Sequence, residues 1–112
     1  LFPRIRFVNL RKGFPFLFEA WSVHHANKNV YLDLSGAGPT AGALAVGYAA
    51  VGGPAFIPLD FDKVVWGSDN AAEAKAAMAV ADAHLAMMGC ADPARRARAF
   101  GDNAARMLGL AG

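Results

Sequence analysis

The chain of 112 residues has a single cysteine, Cys90, so an internal disulfide is excluded. A reducing compartment fits this composition, and no basic start precedes an apolar run and a small-residue cleavage site, so we expect a cytoplasmic protein. Charged residues make up only 18% against 55% hydrophobic residues, which excludes a disordered chain. The net charge of +2 is small, and no basic stripe alternates with aromatic residues, so we expect no nucleic-acid partner.

Long uninterrupted apolar segments are also missing. No charge occurs from Leu34 to Leu59, but glycine and proline interrupt this segment repeatedly. Its apolar part is shorter than the roughly 18 to 20 residues that span a bilayer, so we expect no membrane span and interpret it as a buried helix plus a loop. The chain begins with Leu1 rather than methionine, from which we expect a processed or partial polypeptide.

What the sequence does contain is an alternation of strand and helix patterns. Strands are predicted at 5–10, 29–35 and 63–67, and helices at 16–27, 41–50, 71–88, 93–100 and from 102 or 103 to 108. Thr40 is a candidate cap for the second helix, Gly89 a stop for the long one, and Asp92-Pro93 a start for the next. Such alternation predicts one α/β domain over residues 1–112, with three parallel βα units followed by C-terminal helices.

The long predicted helix has one apolar face. Met78, Ala81, Leu85 and Met88 fall on that face, and we expect Val65 and Trp66 to belong to a strand buried against it. The glycines at 36 and 38 lack the rest of a dinucleotide-binding fingerprint, so a nucleotide site is not predicted.

Four segments occur in an order that resembles the amidohydrolase-related family: FPRIRFV (2–8), NVYLDLSG (29–36), DKVVWGSD (62–69) and NAARMLGL (103–110). The resemblance implies metal-dependent hydrolases and non-oxidative decarboxylases that act on small molecules, on a (β/α)8 TIM barrel. It covers only the last three βα units and terminal helices of the family, because a closed barrel takes about 250 residues.

The resemblance implies a role for Asp69, which follows the third strand. In the family that aspartate binds or borders a divalent metal, Zn or Mn, and helps to activate water or handle a proton. A carboxylate oxygen suits either ion, and a bound metal lowers the pKa of its water. The residues alone allow a second interpretation, in which Asp69 caps the helix that begins near Ala71.

Other positions depart from the family pattern. Where relatives place a histidine after their sixth strand, this chain has Arg11, which cannot ligate a metal. Arg11 either clamps a substrate carboxylate or is a solvated loop residue, and Ser35 either lines a pocket or forms a packing or turn contact. The His-x-His pair of the family's first strand and a further histidine of a middle strand are missing from the sequence. His24 and His25 are adjacent near a helix C-terminus, where imidazole suits the dipole, and we expect neither to bind metal.

Two hypotheses of different classes follow. The first is the C-terminal part of an amidohydrolase-like metal enzyme, inactive alone, which contributes Asp69 and Arg11 to a site completed elsewhere. The second is a non-catalytic α/β remnant or interaction module that keeps the packing of the fold but lacks its metal site. In either case the edge strands are expected to be covered by another chain or a second copy, since unpaired edges invite pairing.

Overall fold

The computed structural model describes residues 5–9, 17–34, 39–67 and 74–110. Its strands are Phe7–Asn9 (β1), Val30–Asp33 (β2) and Val64–Val65 (β3). Its α-helices are Leu17–Ala26 (α1), Pro39–Ala50 (α2), Ala74–Met87 (α3), Pro93–Arg98 (α4) and Asp102–Met107 (α5). Two short 3-10 helices, Gly53–Ala55 and Phe61–Lys63, precede β3.

The three strands form one parallel sheet in the order β1-β2-β3. Phe7 pairs with Val30, and Leu32 pairs with Val64. The predicted α/β fold with three parallel strands is therefore confirmed, with α1 and α2 as the crossovers. The third strand is shorter than predicted because Asp60 starts a 3-10 turn, its side chain accepting a hydrogen bond from the main-chain N–H of Asp62 at 3.0 Å.

The core lies around β2, the central strand. Val30 and Leu32 are buried, and so are Asp33 and Leu34, as expected for a parallel strand covered on both faces. Further core side chains come from every layer: Trp21, Ala45, Tyr48, Leu59, Phe61, Val64, Leu85 and Met88. Trp21 of α1 meets Tyr48 of α2 edge to face, with ring centroids 5.2 Å apart, so the two crossover helices share this core.

Helix α3 buries only part of its predicted apolar face. Ala81, Leu85 and Met88 are buried, but Met78 is exposed, so its assignment to the core is wrong. Helix α3 packs against α2 and α4, and its buried side chains lie in its second half. Trp66 also differs from the prediction: it follows β3 and lies half-buried, edge to face with Phe100 after α4, at 5.4 Å between centroids.

The helix boundaries follow local chemistry. Thr40 lies inside α2, which begins at Pro39, so the predicted cap at Thr40 is wrong. Asp92 caps α4 as predicted, its Oδ1 accepting from the N–H of Ala94 at 3.0 Å. Gly89 ends α3 with φ of 107°, and a Cβ there would lie 2.9 Å from Pro54, so glycine is required twice over. Within the described ranges, no helix is long and apolar enough to cross a membrane.

Candidate functional site

The carboxyl ends of the three strands lie at one edge of the sheet because the strands are parallel. The candidate residues Arg11, Ser35 and Asp69 each follow one of these ends in the sequence. All three lie outside the described residues, so their roles stay predictions. In a (β/α)8 enzyme this is the edge at which the active site is built.

Asp33 is the last residue of β2 and is 7% exposed. It is the only carboxylate among the buried residues of the part that the structure describes. Buried carboxylates are rare unless they are paired. The burial of Asp33 was not predicted from the sequence, although an acid within the apolar run VYLDL was the available signal.

A buried amide holds the outer side of β3, which is one lateral edge of the sheet. Asn103 of α5 is fully buried, and its Nδ2 donates to the carbonyls of Phe61 at 3.0 Å and Val64 at 2.8 Å. Its Oδ1 accepts from Nη2 of Arg106, which also donates to the carbonyl of Asp62 at 3.1 Å. The NAARMLGL segment therefore fixes the turn that leads into β3, a structural role that the resemblance alone did not reveal.

His24 joins three segments in the same region. The main-chain N–H of Asp60 donates to His24 Nε2 at 3.0 Å, so Nδ1 carries the ring proton and donates to the carbonyl of Val30 at 3.0 Å. Burial, with a smaller contribution from the Lys63 charge, lowers the pKa of His24 from 6.5 to about 4. His24 does lie in the last turn of α1, as predicted, but its ring links two main-chain groups and its lowered pKa disfavours the cation that would suit the helix dipole.

Lys63, which directly precedes β3, also contacts the C-terminal end of α1. Its Nζ donates to the carbonyls of His24 and Asn27, both at 2.7 Å, at the C-terminal end of α1. These are groups that the helix itself leaves unpaired, and a cation there also suits the helix dipole. Burial lowers the pKa of Lys63, and the charge of Asp60 offsets this only in part.

Arginines of α4 surround the turn before β3. Arg95 Nε and Arg98 Nη2 lie 3.2 and 3.4 Å from Asp62 Oδ1, and Arg95 Nη2 lies 3.5 Å from Asp60 Oδ1. Burial alone would raise the pKa of Asp62, but the hydrogen bonds and charges of Arg95 and Arg98 outweigh it and lower that pKa. These half-exposed pairs orient the turn more than they stabilise it.

The described residues do not fit a metal. No group of three histidine, cysteine or acidic side chains within those ranges is placed to hold an ion. His24 has both ring nitrogens in hydrogen bonds, so it would have to break one to become a ligand. Cys90 is buried, which raises the pKa of its thiol and disfavours the thiolate that a metal would require.

A groove of about 730 Å³ opens between the N-terminal ends of β2 and β3. It therefore lies at the end of the sheet opposite to the carboxyl ends of the strands. Side chains from α1, the start of β2, the turn before β3, α4 and α5 line it: His25, Ala26, Lys28, Tyr31, Pro58, Leu59, Asp60, Asp62, Lys63, Arg95 and Arg106. This groove could not be predicted from the sequence, because its residues are scattered along the chain.

Comparison with known proteins gives a family match. Residues 1–110 match the amidohydrolase family, over nearly the whole chain. No curated protein and no solved structure gives a significant match. The family match agrees with the parallel βα units of the structure and with the order of the four segments. The chain belongs to the amidohydrolase family.

Proposed function

We propose that this chain supplies three βα units of an amidohydrolase barrel, whose other units lie in a further segment or another chain. The main support is the family match over residues 1–110. The sheet of three parallel strands, in sequence order, is consistent with consecutive units of such a barrel. Three strands leave two edges, whereas a closed barrel has eight strands and takes about 250 residues. The proposed activity is hydrolysis or non-oxidative decarboxylation of a small molecule.

Within that proposal Asp69 supplies one ligand of a divalent metal, Zn or Mn, and handles a proton of the reaction. When bound, the metal supplies an acidified water. Arg11 holds a substrate carboxylate through its planar guanidinium, and Ser35 lines the pocket. The support is their placement in the sequence after three strands whose carboxyl ends share one edge.

The test uses the complete gene product, including whatever is encoded before Leu1. We expect a His-x-His segment there, near-stoichiometric Zn or Mn after purification, and turnover of ester, amide or aromatic-carboxylate substrates. Asp69→Asn should lower turnover at least about tenfold, in line with the loss of a metal-site residue. Asp102→Asn is the control, because Asp102 is exposed in the first turn of α5. Equal turnover of both variants and the parent would contradict the role of Asp69.

A second candidate is a non-catalytic α/β remnant or interaction module. It is favoured by Arg11, which stands where relatives place a histidine, and by the lack of a metal-ligand group among the described residues. The two candidates differ in one observation. An upstream His-x-His segment favours the enzyme, and a gene without it favours the module.

A further inference from the structure

The groove at the N-terminal ends of β2 and β3 has an excess of positive charge. Among the described residues, its lining has four cations, Lys28, Lys63, Arg95 and Arg106, against two carboxylates, Asp60 and Asp62. Both carboxylates are already engaged by Arg95, at 3.5 and 3.2 Å, and Arg98 adds a further contact to Asp62. The remaining three cations therefore have no carboxylate contact among the described residues.

Two of these cations instead hold neutral groups. Lys63 donates to the carbonyls of His24 and Asn27, and Arg106 donates to the carbonyl of Asp62 and the amide oxygen of Asn103. Such contacts fix the position of a charge without neutralising it. The groove thus contains positive charges that are fixed in place before any ligand arrives, which reduces the cost of ordering them on binding.

Donors also remain for a ligand. Lys63 has three N–H bonds and uses two of them. The hydrogen bonds of Arg106 within the described residues all leave from Nη2, so Nε and Nη1 are available. Lys28 is an exposed lining residue and has no partner within those residues. An oxyanion accepts several such charge-assisted bonds at once.

The rest of the lining sets the size and character of the ligand. Tyr31, Pro58 and Leu59 provide aromatic and apolar surface beside the cations. A volume of about 730 Å³ falls within the roughly 300 to 1,000 Å³ that is typical of small-molecule sites. We propose that this groove binds a small organic anion, with a phosphate or carboxylate head among Lys28, Lys63 and Arg106 and an apolar body against Tyr31.

This site is separate from the proposed catalytic edge, since it lies at the other end of the strands. Its test reads binding and needs no turnover, so it is independent of the proposed enzyme activity. The 15N-labelled chain is titrated with inorganic phosphate, phenyl phosphate and benzoate at constant ionic strength. We expect saturable shifts at the amides of Lys28, Tyr31, Lys63 and Arg106. Phenyl phosphate should bind more tightly than inorganic phosphate, and the comparison with benzoate identifies the preferred head group.

Lys28→Gln should weaken the tightest of these ligands about threefold or more, through loss of one charge-assisted contact. Lys75→Gln on α3 is the matched control, because it removes an exposed lysine away from the groove and should leave binding unchanged. A well-dispersed spectrum establishes that each variant is folded. Shifts that are absent, that fail to saturate, or that are equal in both variants would overturn the proposal.

Discussion

The side-chain amide of Asn103 donates to the carbonyl of Val64 on the side of β3 that faces away from β2. The N–H of Leu34 in the β2 segment donates to the carbonyl of Val65 at 2.8 Å, so the preceding carbonyl, that of Val64, points to the outer edge. The N–H of Val64 in turn donates to the carbonyl of Phe61. Both main-chain groups of Val64 are thus satisfied within the chain.

Loss of the two hydrogen bonds that Asn103 donates should destabilise the fold strongly. Asn103→Ala leaves the carbonyls of Phe61 and Val64 without their buried donor, and we expect the free energy of unfolding to fall by about 2 to 4 kcal/mol. Urea denaturation at pH 7 measures it. The control is Asn27→Ala, which removes an exposed amide contact to the Val23 carbonyl and should cost under about 0.5 kcal/mol. Similar losses in the two variants would mean that the Asn103 contacts add little.

The fold was predictable because its signals are local. Alternating strand and helix patterns gave the parallel sheet, and Asp92-Pro93 and Gly89 marked helix ends through their own backbone chemistry. The roles of His24 and Asn103 could not be predicted, because their partners Asp60 and Val64 lie far away in the sequence. The catalytic candidates remain predictions, since they lie outside the described residues.

Protonation of His24 should weaken the fold in mild acid. Its pKa is about 4 when folded and 6.5 when unfolded, so between these values the unfolded chain binds more protons. The stability from the neutral ring is complete above pH 6.5 and is lost as the pH falls toward 4, by about 3 kcal/mol in total. Urea denaturation in steps from pH 7.5 to 4 measures this slope. His24→Gln should flatten it, whereas His25→Gln at the exposed neighbour should retain it; an unchanged slope in His24→Gln would refute the assignment.

Leu85 is the buried anchor of α3, with 1% of its surface exposed. Leu85→Ala should lower the free energy of unfolding by about 2 to 5 kcal/mol, the range for emptied core positions. Val80→Ala in the same helix is the control, because Val80 is 53% exposed and should change stability by less than about 0.5 kcal/mol. A loss under that limit for Leu85→Ala would mean that the helix is rotated from the phase seen here.

The 112-residue chain by itself should be inactive on ester, amide and aromatic-carboxylate substrates, even with added Zn or Mn. A catalytic zinc takes about three protein ligands, and the proposal assigns only Asp69 from this chain. Turnover is measured with each metal and after treatment with a chelator. Metal-dependent turnover that Asp69→Asn abolishes would show that the chain carries a complete site.

The last prediction concerns the outer edge of β1. Phe7 donates its N–H to the carbonyl of Asn29 at 2.8 Å, so by alternation the N–H of Val8 points away from β2. Ile5 and Phe7 beside it are 50% and 37% exposed. Because both main-chain groups of Val64 are bonded within the chain, β1 offers the clearer test of edge pairing, and we expect another polypeptide or a second copy to cover it. Light scattering over a dilution series should show association at high concentration. Hydrogen exchange should then show protection of Val8 that is lost on dilution, while Phe7, the internal control, keeps its protection. A monomer at every concentration with Val8 strongly protected would contradict this prediction, because the N–H of Val8 would then be protected within its own chain.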